Sequence, residues 1–142
     1  MNQSSSKHSV VVAVINSSED TVDMLRTCLQ QKGFTSVVTM HVDEIKRGQT
    51  DFIEFLTQHN PGVLVYDIAI PYEENWNFLN LLMSSEEMRG RRVVVTTTNK
   101  KVLESLVGET DAIEVHGKPY DLDQIAKSVE AAAESVGGGK SR

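Results

Sequence analysis

Two kinds of hydrophobic pattern alternate along the chain. Runs rich in apolar and β-branched residues are typical of strands buried on both faces of a sheet. Stretches in which apolar residues recur every three or four positions are typical of amphipathic helices. The predicted strands cover residues 10–15, 35–40, 63–66, 93–95 and 112–115.

The residues between these runs carry helix start and stop signals. Gly33 follows the first helical stretch and provides the left-handed cap that ends many helices. The second stretch, residues 43–59, is interrupted at Gly48. Asn99 is a predicted N-cap, and Asp121 begins a capping box before the last helix. The pattern therefore predicts five strands alternating with five helices.

Such alternation predicts right-handed βαβ units and a doubly wound five-stranded parallel sheet of the α/β class. The predicted domain covers residues 9–136. We expect a disordered N-terminus over residues 1–8 and a flexible glycine-rich tail over residues 137–142.

Composition and charge indicate which kinds of partner and which cellular compartment to expect. The net charge of -6 argues against nucleic acid, because phosphate binding favours a basic surface. Cys28 is the only cysteine, so no internal disulfide can form, which suits a reducing cytoplasm. No apolar run approaches the ~20 residues of a membrane span, so we expect no membrane partner.

Polar side chains follow four of the predicted strands. In an open α/β sheet the carboxyl ends of the strands form the crevice that binds ligands. A carboxylate, a hydroxyl and a lysine around one point suit phosphoryl transfer, because the carboxylate attacks while the other groups neutralise the phosphoryl oxygens. The strand ends are Asn16-Ser17, Asp67, Thr96-Thr97-Thr98 and His116-Gly117-Lys118-Pro119.

Three of these features occur in the order and spacing of a known family. Pro71 follows Asp67 by four residues, a valine strand ends in Thr97, and Lys118-Pro119-Tyr120 precedes the last helix. With these motifs the chain resembles the receiver domain of bacterial response regulators over about residues 9–136. The resemblance implies a flavodoxin-like, CheY-like (βα)5 fold and a signalling module that is not an enzyme.

The resemblance also implies roles for individual residues. It implies Asp67 as phosphoacceptor, Thr97 (or Thr96) as the hydroxyl that moves toward the phosphate, and Lys118 as the lysine that contacts it. A sensor histidine kinase or phosphotransfer protein would donate the phosphoryl group, and a downstream protein partner in the cytoplasm would read the result. Mg²⁺ would be bound by Asp67, the backbone carbonyl of Ala69, and Ser17 or Asn16.

The chain departs from the family pattern where receivers usually carry two adjacent acids. Those positions are Asn16 and Ser17, which removes the carboxylates that normally bring Mg²⁺. One alternative is therefore a pseudo-receiver, with the same fold but no phosphorylation, acting as a protein-interaction module. Another is a small flavodoxin-like nucleotide-binding enzyme, although no G-x-G-x-x-G follows the first strand.

Overall fold

The computed structural model describes residues 9–16, 19–48, 51–108, 113–117 and 121–140. Within them, five parallel strands form one sheet. The strands are β1 (Val12–Asn16), β2 (Val37–His41), β3 (Val63–Ile68), β4 (Arg92–Thr97) and β5 (Ile113–Gly117). The helices are α1 (Glu19–Gln31), α2 (Val42–Lys46), α3 (Phe52–His59), α4 (Tyr72–Met83), α5 (Lys100–Val107) and α6 (Leu122–Lys140), and a 3-10 turn covers Glu86–Met88.

The strand order is β2-β1-β3-β4-β5, and every neighbouring pair is parallel. The predicted doubly wound five-stranded α/β sheet is therefore confirmed. In this order the chain turns from β1 to β2 on one side and then to β3 on the other. The carboxyl ends of β1 and β3 flank that switch point, where sheets of this kind bind ligands.

Alternate strand residues face opposite sides of the sheet, so two apolar clusters form. The α2–α5 cluster packs those four helices on one face and contains Ile15, Tyr66 and Val95 from the strands. The α1/α6 cluster packs those two helices on the other face against Val14 and Val65. Cys28 packs against the second cluster, and burial raises the pKa of its thiol, in keeping with a packing role.

All five strands extend further at their carboxyl ends than the sequence predicts, and β3, β4 and β5 do so by two residues. β3 continues through Ile68, so Asp67 lies inside the strand and not beyond its end. β5 runs to Gly117, because Thr96 and Thr97 pair with His116 and Gly117. The hydrogen-bonded pairing of β3, β4 and β5 therefore includes polar residues. The hydrophobic pattern predicts that these strands end before those residues.

The predicted helix over residues 43–59 is two helices, α2 and α3. Gly48 lies between them with φ of 74°, a conformation that glycine adopts without steric cost. α3 then begins after Asp51, whose side chain accepts hydrogen bonds from the N–H groups of Ile53 and Glu54. The predicted interruption at Gly48 is confirmed.

The other predicted caps are present where the structure describes them. Gly33 has φ of 104° after α1, and the side chain of Asn99 accepts from the N–H of Val102. Asp121 accepts from the N–H of Gln124 at the start of α6. α6 extends to Lys140, so helical backbone continues into the segment predicted as a tail. The predicted N-terminal segment, residues 1–8, lies outside the described residues.

A helix that crosses a bilayer needs about 20 predominantly apolar residues. Over the described ranges, no helix combines the required length with a sufficiently apolar sequence.

Candidate functional site

One polar residue from each strand lies in a row across the carboxyl edge of the sheet. Strand pairing puts Asp67 beside Thr96 and Thr96 beside His116. On the other side, Asn16 directly follows Ile15, which is paired with Tyr66 of β3, and Asn16 is itself paired with His41 of β2. In-register partners of parallel strands project to the same face, so this polar row continues the face that contacts α1 and α6. The row, in strand order, is His41, Asn16, Asp67, Thr96 and His116.

Asp67 is the central carboxylate of the polar row and is half-buried. Its Oδ1 accepts a hydrogen bond of 2.7 Å from Oγ1 of Thr96, which is fully buried. A hydrogen bond to a carboxylate is shorter and stronger than one between neutral groups. The side chain of Asp67 is therefore held through Oδ1 by a residue of the neighbouring strand.

Thr97 occupies a different environment although it is the next residue. It is also fully buried, and alternation turns it toward the α2–α5 side of the sheet. Its Oγ1 accepts a hydrogen bond of 3.3 Å from the N–H of Asn99. The hydroxyl groups of Thr96 and Thr97 therefore have different hydrogen-bond partners.

Asn16 is 3% exposed at the end of β1, next to Asp67 across the sheet. Ser17 and Lys118 lie outside the described residues, so their place beside Asp67 remains a prediction from the sequence. The predicted constellation is therefore brought together in the structure at Asn16, Asp67 and Thr96.

The segment that follows Asp67 is hydrogen-bonded to α4. The side-chain amide of Asn75 donates to the carbonyl of Ala69 at 2.8 Å, and Oδ1 of Asn75 accepts from the ammonium of Lys46 on α2. A carbonyl oxygen has two lone pairs, so Ala69 keeps acceptor capacity. Asn75 was not among the residues predicted from the sequence to belong to the site. An Asn within a helical pattern was the available signal, because such a residue often bonds to nearby backbone.

A second missed contact joins the loops that follow β3 and β4. Oη of Tyr72 and Oγ1 of Thr98 are 2.6 Å apart. Tyr72 begins α4 and Thr98 directly follows β4, so this hydrogen bond links the two segments that lead away from Asp67 and Thr97. Nothing in the spacing of the two residues reveals it, because it depends on how β3 and β4 are aligned.

The far end of the polar row contacts α6. Nε2 of His116 lies 2.8 Å from Oγ of Ser128. Beside the row, burial raises the pKa of Tyr66 and the Asp67 carboxylate raises it further, so this phenol stays protonated. Among the residues that the structure describes, no three His, Cys, Asp or Glu side chains are grouped as metal ligands.

The oxygen atoms near Asp67 are of the type that binds Mg²⁺, but together they carry little negative charge. The described donors are the Asp67 carboxylate, the Asn16 side-chain amide and the Ala69 carbonyl. Mg²⁺ binds hard oxygen ligands, commonly one or two carboxylates together with waters and substrate phosphates. A single carboxylate meets the lower end of that requirement, so the donor set fits a weak magnesium site.

Comparison with known proteins supports the fold. No family model and no curated protein matches the sequence. The structure is similar to that of a two component transcriptional regulator AraC from Clostridium phytofermentans, with TM-score 0.67 and 19% identity, covering 94% of this chain and 100% of that chain. It is also similar to the chemotaxis protein CheY4 of Vibrio cholerae, with TM-score 0.64 and 18% identity, covering 87% and 98%.

A third similar structure is the signal receiver domain of a putative LuxO repressor protein from Vibrio parahaemolyticus. Its TM-score is 0.65 at 15% identity, with 93% of this chain and 95% of that chain covered. The protein therefore has the CheY-like fold of response regulator receiver domains, and the resemblance is confirmed at the level of the fold.

Proposed function

We propose that this chain is a receiver-like signalling domain that accepts a phosphoryl group on Asp67 and signals through protein contacts. The observation that carries the proposal is the carboxylate of Asp67, held by Thr96 at the carboxyl edge of a central strand in a receiver fold. In this proposal the chain is a cytoplasmic phosphoprotein of a two-component phosphorelay and is not itself an enzyme.

The proposed reaction is a displacement at phosphorus. One oxygen of Asp67 forms a bond to the phosphorus of a phosphohistidine, and the N–P bond breaks with its electron pair left on the imidazole nitrogen. The product is an acyl phosphate on Asp67. A sensor histidine kinase or phosphotransfer protein would supply the phosphohistidine. Lys118 and the hydroxyl of Thr97 or Thr96 would bind the phosphoryl oxygens, as the resemblance implies. Of the two threonines, Thr96 is the one whose hydroxyl faces Asp67, which favours Thr96 for this contact.

Magnesium would be held by Asp67, the carbonyl of Ala69, and Asn16 or Ser17. When bound, the ion supplies positive charge that offsets the charge of the phosphoryl oxygens. With a single described carboxylate, the ion would bind more weakly than at a site with two adjacent acids.

A specific observation supports the second candidate, a pseudo-receiver that works without phosphorylation. Asn16, almost fully buried, occupies the end of β1 beside Asp67, where an acid would add the charge that Mg²⁺ requires. In this alternative the folded surface is a constitutive interaction module, and Asp67 with Thr96 has a structural role.

Phosphorylation by a small donor separates the two candidates. The protein is incubated with Mg²⁺ and acetyl phosphate, and intact mass is measured for the wild type and for Asp67→Asn. We expect the mass of one phosphoryl group to be gained by the wild type and not by Asp67→Asn. Peptide mapping should place the label on the segment that contains Asp67.

Asp67→Asn is a matched control because it keeps the shape of the side chain and one acceptor oxygen for Thr96. Circular dichroism should show the same fold for both proteins. Equal mass gain by both would contradict Asp67 as phosphoacceptor. Absence of any gain by the wild type, with acetyl phosphate and with a phosphorylated phosphotransfer protein, would favour the pseudo-receiver.

A further inference from the structure

We infer that the outer edge of β2 is a self-association surface. A second copy of this chain adds its own β2 there, antiparallel to the first, so that one continuous sheet runs through both copies. In the strand order, β1 lies between β2 and the strand that carries Asp67. The inference therefore goes beyond the proposed phosphorylation and does not rest on it.

The backbone of β2 directs hydrogen-bonding groups away from the sheet. β2 is an outermost strand and, in the part of the chain that the structure describes, pairs only with β1. Val12 is level with Val37 in this pairing and donates its N–H to the carbonyl of Ser36 at 2.9 Å. Backbone groups of a strand alternate in direction, so every second residue from Ser36 onward bonds toward β1. The N–H groups of Val37, Thr39 and His41, with the carbonyls of the first two, therefore point outward.

The sequence of β2 favours pairing at this edge. Edge strands are commonly protected from association by Lys, Pro or other charged residues. The five residues of β2, VVTMH, contain three β-branched residues and none of those protecting residues. The central residue, Thr39, is exposed. A row of outward backbone donors and acceptors on such a strand is matched by another extended strand.

A second β2 meets this requirement better than a flexible peptide does. It is already held in the extended conformation by β1, so its association does not require a disordered chain to become ordered. Two-fold symmetry makes the two strands antiparallel and places Thr39 opposite Thr39 of the second copy. The N–H of His41 then faces the outward carbonyl of Val37 of the second copy.

The charges beside the edge are self-complementary. A cavity of about 310 Å³ lies between α1 and the carboxyl end of β2, and its lining includes Thr39, Arg26, Asp23 and Glu44. Arg26 and Asp23 form an ion pair within one copy, yet their side chains remain 39% and 65% exposed. A surface that meets its own copy needs both signs of charge. A strongly acidic or strongly basic partner would instead meet a like charge here.

Sedimentation equilibrium of the full chain tests the association. The series extends to about 1 mM, since interfaces of small area associate weakly. We expect a monomer–dimer equilibrium in the wild type. Thr39→Lys should raise the dimer Kd about tenfold, because two-fold pairing places two ammonium groups directly opposite each other. Thr57→Lys is the matched control, since Thr57 is exposed on α3. Its dimer Kd should equal that of the wild type.

A pair of opposite charges tests the alignment of the two strands. Thr39→Glu should also dimerise weakly when it is alone. An equimolar mixture of Thr39→Lys and Thr39→Glu should associate more tightly than either variant by itself, because opposite charges then face each other across the interface. Circular dichroism verifies that each variant is folded.

Amide hydrogen exchange of the wild type needs no substitution, so it also serves if a charged variant fails to fold. We expect the N–H of Thr39 to exchange more slowly at high protein concentration than at low concentration. The N–H of Met40 bonds toward β1 in the monomer, so its exchange should be the same at both concentrations.

Each contrary outcome is specific. A wild type that stays monomeric over the whole series would overturn the inference. A dimer whose Kd is unchanged in folded Thr39→Lys, or in which the N–H of Thr39 gains no protection, would show that a different surface associates. A Lys and Glu mixture that associates no better than either variant would exclude the antiparallel pairing at Thr39. No measurement uses Mg²⁺ or a phosphodonor, so the result is independent of whether Asp67 is phosphorylated.

Discussion

Asn16 shows how one residue controls the charge of the site. Its amide is buried at the end of β1, next to the half-buried carboxylate of Asp67. We predict that Asn16→Asp lowers stability without Mg²⁺, because two neighbouring carboxylates repel each other. The same variant should bind Mg²⁺ about tenfold more tightly than the wild type, since each added carboxylate strengthens a site for hard cations.

Thermal unfolding with and without Mg²⁺ measures both effects in one experiment. Magnesium should raise the melting temperature of Asn16→Asp more than that of the wild type, because ligands that bind the folded state stabilise it. Asn16→Ser is the control, since it alters the side chain without adding charge. An equal response to Mg²⁺ in all three proteins would contradict the placement of Asn16 at a magnesium site.

The sequence indicates which residues belong to the site better than it indicates their contacts. Asp67 stands out because it ends an apolar run, and the threonines stand out because they end the next. The choice of Thr96 as the hydrogen-bond partner depends on the alignment of β3 with β4. A shift of one residue would exchange the faces of Thr96 and Thr97, and hydrophobicity does not specify the alignment to that accuracy.

At the scale of the element, Asp51 caps the first turn of α3. Its Oδ1 accepts from the N–H of Ile53 at 3.0 Å and from the N–H of Glu54 at 3.2 Å. We predict that Asp51→Ala lowers the free energy of unfolding by about 1 kcal/mol, the usual cost of removing an N-cap. Urea denaturation should show a lower midpoint with an unchanged slope.

Asp51→Asn is the matched variant for this prediction. Asparagine caps helices about as well as aspartate, so its midpoint should stay near that of the wild type. If the alanine and asparagine variants were destabilised equally, the charge of Asp51 and not its capping hydrogen bonds would be responsible.

The interruption at Gly48 is predictable, but the restart of the helix is not. A glycine inside a helical pattern is a strong local signal because of its backbone freedom. Thr50 and Asp51 follow Gly48, and either could cap a new helix. The start at Phe52 is decided by packing, since Phe52, Phe55 and Leu56 are all buried against the α2–α5 cluster. The five residues of α2 are too few for periodicity to reveal a separate helix.

For the whole molecule, alternation of strands and helices is enough to predict a parallel doubly wound sheet. Each parallel crossover needs a connection of a dozen or more residues, and the sequence provides one between every pair of strands. The order of the strands cannot be predicted in the same way. A right-handed crossover allows the next strand on either side of the sheet, so periodicity does not specify the order β2-β1-β3-β4-β5 that the structure shows.

Because the same sheet separates the two apolar clusters, we expect them to unfold together. Leu29 is 1% exposed in the α1/α6 cluster, whereas Trp76, the sole tryptophan, belongs to the α2–α5 cluster on the opposite face. Leu29→Ala should cost about 2–5 kcal/mol through lost burial and the cavity it leaves. Since small single domains usually unfold cooperatively, Trp76 fluorescence should report the whole of that loss.

Urea denaturation followed by Trp76 fluorescence and by far-UV circular dichroism tests this coupling. In Leu29→Ala both signals should shift to the same lower midpoint, although the substitution lies across the sheet from the tryptophan. Lys101→Ala is the control because Lys101 is exposed on α5, where substitutions usually change stability by at most about 0.5 kcal/mol. A fluorescence midpoint that stayed at the wild-type value while circular dichroism shifted would mean that the two faces of the sheet unfold separately. In that case a conformational change at Asp67, on the α1/α6 face, would not be transmitted through the sheet to the helices on the other face.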